Sequence, residues 1–166
     1  MIDSYTVQHC EHVSQRSFAA VVAAFEAELG SAEDQTIIPR EVASATSQAD
    51  FEARIRAHEG RSGFMRFLTN DHGACMARMG AKAKIRSYII GNPLLAQTMI
   101  THDPGVGLNV PIRVAIFQTI TGEVRLAYDL PSSLMSRLHN EDVSAAALKL
   151  DAKLRALAEL ATGAAA

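Results

Sequence analysis

The chain has 166 residues, of which 48% are hydrophobic and 20% charged, and a formal net charge of −2. That is apolar material enough for one domain with a real core, and it excludes a disordered or fibrous chain. The near-neutral balance argues against a nucleic-acid binder or a coat for anionic membranes, because both need a basic face.

In chain order, Tyr5 to His9 alternates and is rich in β-formers, which predicts a first strand. Ser17 is placed to cap a helix running through Leu29, with Phe18, Val21, Val22, Phe25 and Leu29 on one face and Gly30 as its stop. Residues 31–46 have no clear period and contain Pro39, so a surface loop is expected there. Ser47 opens another helix that turns Phe51 and Ile55 inward and ends by Gly60 and Gly63. Phe64 to Leu68 reads as a short strand. Asp71 then caps a helix in which Met76 and Met79 face the core and Gly80 closes the last turn.

Tyr88, Ile89 and Ile90 form a strand that Gly91 ends. Asn92 is a good cap, and Pro93 fits the first helical position, where its missing N–H costs nothing. Leu94, Leu95, Met99 and Ile100 recur at near-helical spacing until Asp103-Pro104-Gly105 stops them. Ile112, Val114 and Ile116 share one face of a strand. Thr121-Gly122 turns the chain, and Val124, Leu126 and Tyr128 complete a hairpin. Beyond Asp129-Leu130-Pro131-Ser132 a short helix reaches Leu138. Asn140 caps the last helix, whose stripe of Val143, Ala147, Leu150, Leu154, Leu157 and Ala161 packs on the sheet. These elements predict an α+β fold, an antiparallel sheet with helices mainly on one face. One domain over residues 1–161 is expected, with residues 162–166 fraying.

Several of these motifs together resemble the domain-of-unknown-function family 302. They are T-N-D-H-G-A-C-M-A (Thr69 to Ala77), Y-I-I-G-N-P (Tyr88 to Pro93), L-N-V-P-I-R-V-A-I-F (Leu108 to Phe117) and T-G-E-V-R-L-A-Y (Thr121 to Tyr128). The resemblance spans about residues 4 to 139 and is most specific at Asp71-His72, Gly91-Asn92-Pro93 and Pro111. It implies a fold similar to the TATA-box-binding-protein-like class, of the order β-α-β(4)-α, in a small dimer with no agreed activity. Against that pattern residues 31–62 stand out as an inserted loop and helix.

Asp71-His72, at a strand-to-helix turn, is the leading candidate site. A helix start offers free N–H groups and partial positive charge, and Gly73 would let a ligand approach that backbone. If the turn at Asn92 and Pro93 ends on the same sheet edge, the two helix starts converge on one anionic or carbonyl group. Cys75 lies three residues after His72 and shares its helix face. His9, Cys10 and His12 are possible further ligands, but no standard zinc spacing is present, so no metal site is assigned. Arg113, mid-strand and opposite in facing to Ile112 and Val114, is a candidate for a ligand carboxylate.

Three functions follow. The first is a small-molecule-binding protein with its pocket at Asp71-His72, edged by Gly73, Cys75, Asn92, Pro93 and Arg113. The second is an enzyme using His72 as general acid/base on a carbonyl or carboxylate compound, oriented by Asp71. The third is a haem or metal protein ligated by His72, with Met65, Met76, Met79 and Phe67 around the haem. A homodimer is expected because a sheet must protect its edges. A cytoplasmic location is expected as well: no apolar run nears the ~20 residues that span a bilayer, no signal peptide is evident at Met1 to Cys10, and the two cysteines, Cys10 and Cys75, make no disulfide framework.

Overall fold

The computed structural model describes residues 2–163. Among them the elements run β1 (His9–Ser14), α1 (Phe18–Ala27), β2 (Gly30–Ser31), α2 (Ile37–Ser44), α3 (Gln48–Ala57), β3 (Met65–Asp71), α4 (His72–Arg78) and β4 (Ile85–Gly91). They continue with α5 (Pro93–Ile100), β5 (Ile112–Gln118), β6 (Val124–Asp129), α6 (Pro131–Met135) and α7 (Glu141–Thr162). The strands form one sheet in the order β1-β6-β5-β4-β3-β2. The α+β class holds. The sheet is mixed rather than wholly antiparallel, because β2 runs parallel to β3 at one edge. That edge is made by Gly30 and Ala32 donating their N–H groups to the carbonyls of Phe64 and Arg66, at 2.9 and 2.8 Å.

Most helices end where their capping residues place them. Ser17, Ser47, Asn92 and Asn140 each accept a hydrogen bond from the first turn that follows. Helix α1 buries Val21, Val22 and Phe25 against the sheet face that carries Tyr88, Ile90, Val114, Ile116 and Leu126. Helix α7 closes the same layer, and its whole predicted stripe from Val143 to Ala161 is buried. Burying each large side chain of this kind contributes about 1.5–3 kcal/mol. A smaller cluster of Ala32, Ile55 and Met65, with Phe51 and Phe67 packed on it, joins α3 to the start of β3.

Four expectations change. The first strand begins at His9, not Tyr5, because its partner β6 ends at Asp129, directly opposite His9. Before it, Tyr5 and Val7 are exposed. The loop expected over residues 31–46 contains the helix α2. None of its residues is fully buried, and Ile38 packs in part on the small cluster of Ala32, Ile55 and Met65. Its Pro39 sits in the first turn, where helical N–H groups lack internal partners anyway. Helix α4 has no buried residue, and Met79, expected in the core, is 65% exposed while Met76 is only half-buried. Finally, α7 reaches Thr162, which is buried and accepts a 2.6 Å bond from Ser14 Oγ at its carbonyl. The helix therefore outlasts the point where fraying was expected, and Ala164 to Ala166 lie outside the described residues.

Two glycines allow a close backbone crossing beside the small cluster. A Cβ on Gly30 would lie 1.8 Å from the His58 carbonyl oxygen, and one on Gly60 would lie 2.2 Å from that of Glu28. Only a residue without a side chain fits such an approach.

Candidate functional site

A cavity of about 160 Å³ opens where β4 ends and β5 begins. Gly91, Asn92 and Pro93 form one wall, Val110, Pro111 and Ile112 another. Helix α5 supplies Leu95, Ala96, Met99 and Ile100, and Phe64, Phe67 and Leu150 complete the lining. Met99 is 1% exposed and Ile100 39%, so the space passes from the core to the surface along one helix face. The register of β3 slips between Arg66 and Leu68. Such a bulge re-aims a side chain, and Phe67 swings over Gly91. A Cβ on Gly91 would lie 3.2 Å from both the Phe67 ring and Pro111 Cβ. Gly91 therefore keeps those two walls close without a side chain wedged between them.

Asn92 is the polar side chain of this lining, it is 6% exposed, and it is already committed. Its Oδ1 accepts from the Leu94 amide at 2.8 Å. Its Nδ2 donates to Glu59 Oε1 at 2.7 Å and to the Gly63 carbonyl at 2.9 Å. Both amide protons are thus used. The residue caps α5 and at the same time ties that helix to the exit of α3.

The other candidate helix start is built differently. Asp71 Oδ1 caps α4 by accepting from the Ala74 amide at 2.8 Å, and Oδ2 accepts from Arg86 at 2.9 Å. The Ala74 amide, then the guanidinium, hold the Asp71 carboxyl below the usual carboxylate range. Arg86 is raised in turn, chiefly by Asp71. It continues to Glu26 Oε1 at 3.1 Å, which also accepts the Tyr88 hydroxyl at 2.8 Å. Burial first, and that carboxylate second, push the Tyr88 phenol well up.

Asp71 does not orient His72. Asp71 lies opposite Arg86 at the end of β3 and pairs with it. His72, the first residue of α4, turns its imidazole to Ser87, which follows Arg86 on β4 and therefore lies on the other sheet face. His72 Nε2 lies 2.8 Å from Ser87 Oγ, and both groups sit at the surface.

The remaining candidates disperse. Gly73 leaves no room for a ligand, since a Cβ there would lie 2.7 Å from the Ala83 carbonyl oxygen. Cys75 is exposed on α4 and Arg113 is exposed on β5; neither lines the cavity. The two helix starts do not converge, because β3 and β4 are antiparallel. One follows Asp71, opposite Arg86; the other follows Gly91, opposite Met65. Six residues of strand separate Arg86 from Asn92, roughly 20 Å. His9, Cys10 and His12 lie on β1, four strands from β3 and so roughly 19 Å away. They cannot join His72. Among the described residues no three His, Cys, Asp or Glu side chains gather as metal ligands. The haem surroundings do not assemble either: Met65 is buried with Ile55, Phe67 lines the distant cavity and Met79 projects into solvent.

Of the sequence candidates, the Gly91-Asn92-Pro93 turn lines the cavity, as does Phe67 from the haem surroundings. Ala96, Val110 and Leu150 carry no chemical signal in sequence, and a period-based reading sees them as ordinary packing. What the fold and site define is an α+β protein with an apolar cavity at one end of its sheet. The model of the family described as "Domain of unknown function DUF302" matches residues 40–161, and the chain belongs to that family. The fold is similar to the crystal structure of the uncharacterized conserved protein DUF302 from Bacillus stearothermophilus, with a TM-score of 0.64 and 12% identity. That likeness covers 92% of this chain and 97% of the other. No curated protein matches the chain. Among the described residues no helix is long and apolar enough to cross a membrane.

Proposed function

We propose that this chain is a small-molecule-binding protein and that its site is the cavity at Gly91-Asn92-Pro93, not the Asp71-His72 turn. The observation that carries this reading is a formed space of about 160 Å³ lined almost wholly by apolar side chains. Binding sites are concave, mostly apolar and largely preformed. Asn92 supports preformation, because its three bonds fix the start of α5 before any ligand arrives. The test is native mass spectrometry of freshly purified protein beside solvent extraction of the same sample. A small molecule that co-purifies with wild type and is lost from Ala96→Leu, which fills the cavity, supports the reading. Retention by the folded variant places the ligand elsewhere.

A second reading keeps His72 as a general acid/base. It is favoured by the 2.8 Å contact to Ser87, which has the reach of a base on a hydroxyl. Against it stands that Asp71 pairs with Arg86 rather than with the ring. Once a substrate is in hand, His72→Ala should cut turnover by about 10²–10⁴-fold with the fold intact.

Homodimerisation and a cytoplasmic location belong to the same reading. β1 ends the sheet with one side unpaired, an edge that partner strands often cover. Light scattering at micromolar concentration should give twice the chain mass, and a monomer there removes the dimer.

A further inference from the structure

Resting on the cavity reading above, we infer that the cavity takes an uncharged apolar group of about benzene size and rejects carboxylates and other anions. The lining lacks free side-chain partners for a charge. No charged side chain lines the space. The polar side chain that does has spent both its donors, on Glu59 and Gly63. Pro93 and Pro111 have no backbone N–H to give. The Gly91 backbone sits in the β3–β4 ladder, opposite Met65. An anion entering here would shed its water and meet no charged or free side-chain donor, which is the costly case. An apolar guest would instead meet Phe64, Met99, Ile112 and Leu150 at contact distance. Apolar cavities of roughly 150 Å³ stay dry and accept guests such as benzene, and this one has about 160 Å³. Lys153 lies 5.9 Å over the Phe64 ring and does not line the space. It serves the neighbouring surface hollow with Arg61 and Ser62 rather than this one.

The experiment titrates ¹⁵N- and methionine-methyl-labelled protein at pH 7 with toluene and, separately, with benzoate, two probes of matched ring and opposite charge character. Toluene should shift the signals of Gly91, Leu95, Ala96 and Met99 and give contacts from its protons to the Met99 methyl. Benzoate should bind the same site about 100-fold more weakly. Ala96→Leu should weaken toluene by at least about tenfold, because the added carbons occupy the guest's place. The contacts to the Met99 methyl test the site in wild type if that variant folds poorly. Benzoate binding at these residues as tightly as toluene overturns the apolar inference and leaves a small-molecule site standing. Neither probe shifting these residues overturns both.

Discussion

The two strand-to-helix turns at Asp71 and Asn92 share one local recipe and reach opposite ends. Each has a strand, a short polar cap and a helix, and in each the cap accepts a bond from the next turn. Helix α5 then buries Met99 and borders a cavity, whereas α4 buries nothing. A cap and a free helix start are local properties, set by a few neighbouring residues. A cavity needs walls from elsewhere: β5 at Ile112, the turn at Pro111 and α7 at Leu150 reach the cavity beside Asn92, whereas Asp71 meets only the Arg86–Glu26 pair and α4 buries no residue. A helix start with charged residues is therefore a poor guide to a site unless tertiary packing encloses it.

The largest expected effect compares two methionines. Met99→Ala should destabilise the protein by about 3 kcal/mol through lost burial and an enlarged cavity. Met79→Ala, at a side chain 65% exposed, should stay within about 0.5 kcal/mol. Urea midpoints check both, and equal losses would erase the contrast between the helices. Next come the caps. Asn92→Ala removes a cap and leaves Glu59 and the Gly63 carbonyl short of a donor, a loss of about 2–3 kcal/mol. Asp71→Ala removes a cap at the surface, at about 1 kcal/mol. If the Asp71 change proved the costlier, the ranking of the two ends would be reversed.

A Gly91→Ala change sharpens the contrast from the ligand side. Its Cβ would press on the Phe67 ring and Pro111 from 3.2 Å. It should cost about 1 kcal/mol by overpacking and narrow the cavity, so toluene affinity should fall while the β3–β4 pairing persists by amide exchange.

The smallest effect is a pH dependence. The Asp71 carboxyl is depressed in the folded state. Its contribution is therefore fully present above its ordinary value of 3.8 and is lost as pH falls through the lower folded value. Because the group is largely solvated, the slope should be shallow. Asp71→Asn keeps the cap, gives up the charge and should flatten that part of the acid limb. An unchanged stability curve below pH 4 would show that the Arg86 contact contributes nothing.

Much of the fold could be read along the chain. The buried stripe of α7, the hairpin of Val114 and Leu126 and the caps at Ser17, Ser47, Asn92 and Asn140 stand where periodicity and capping chemistry put them. Helix α2 is not legible because it has only eight residues with Pro39 among them, and the one pair Ile38 and Val42 is too short a period to mark a helix. Met79 was misplaced because helical spacing tells which residues share a face, not whether anything covers that face. Of the site, Asn92 and Pro93 were legible as a turn. Their partners Ala96, Val110 and Leu150 were not, since small and aliphatic side chains look alike whether they fill a core or line a space.

Sequence by itself determined most of the elements, most of their inward faces and the family, because caps, turns and apolar periods act between residues a few positions apart. Tertiary structure alone decided which helix start is enclosed. The antiparallel pairing of β3 with β4 sends Asp71 and Gly91 to opposite ends of that strand pair, and the start of α4 parts Asp71, which meets Arg86, from His72, which meets Ser87. Those outcomes depend on register and on contacts between distant segments, which no single stretch of residues carries.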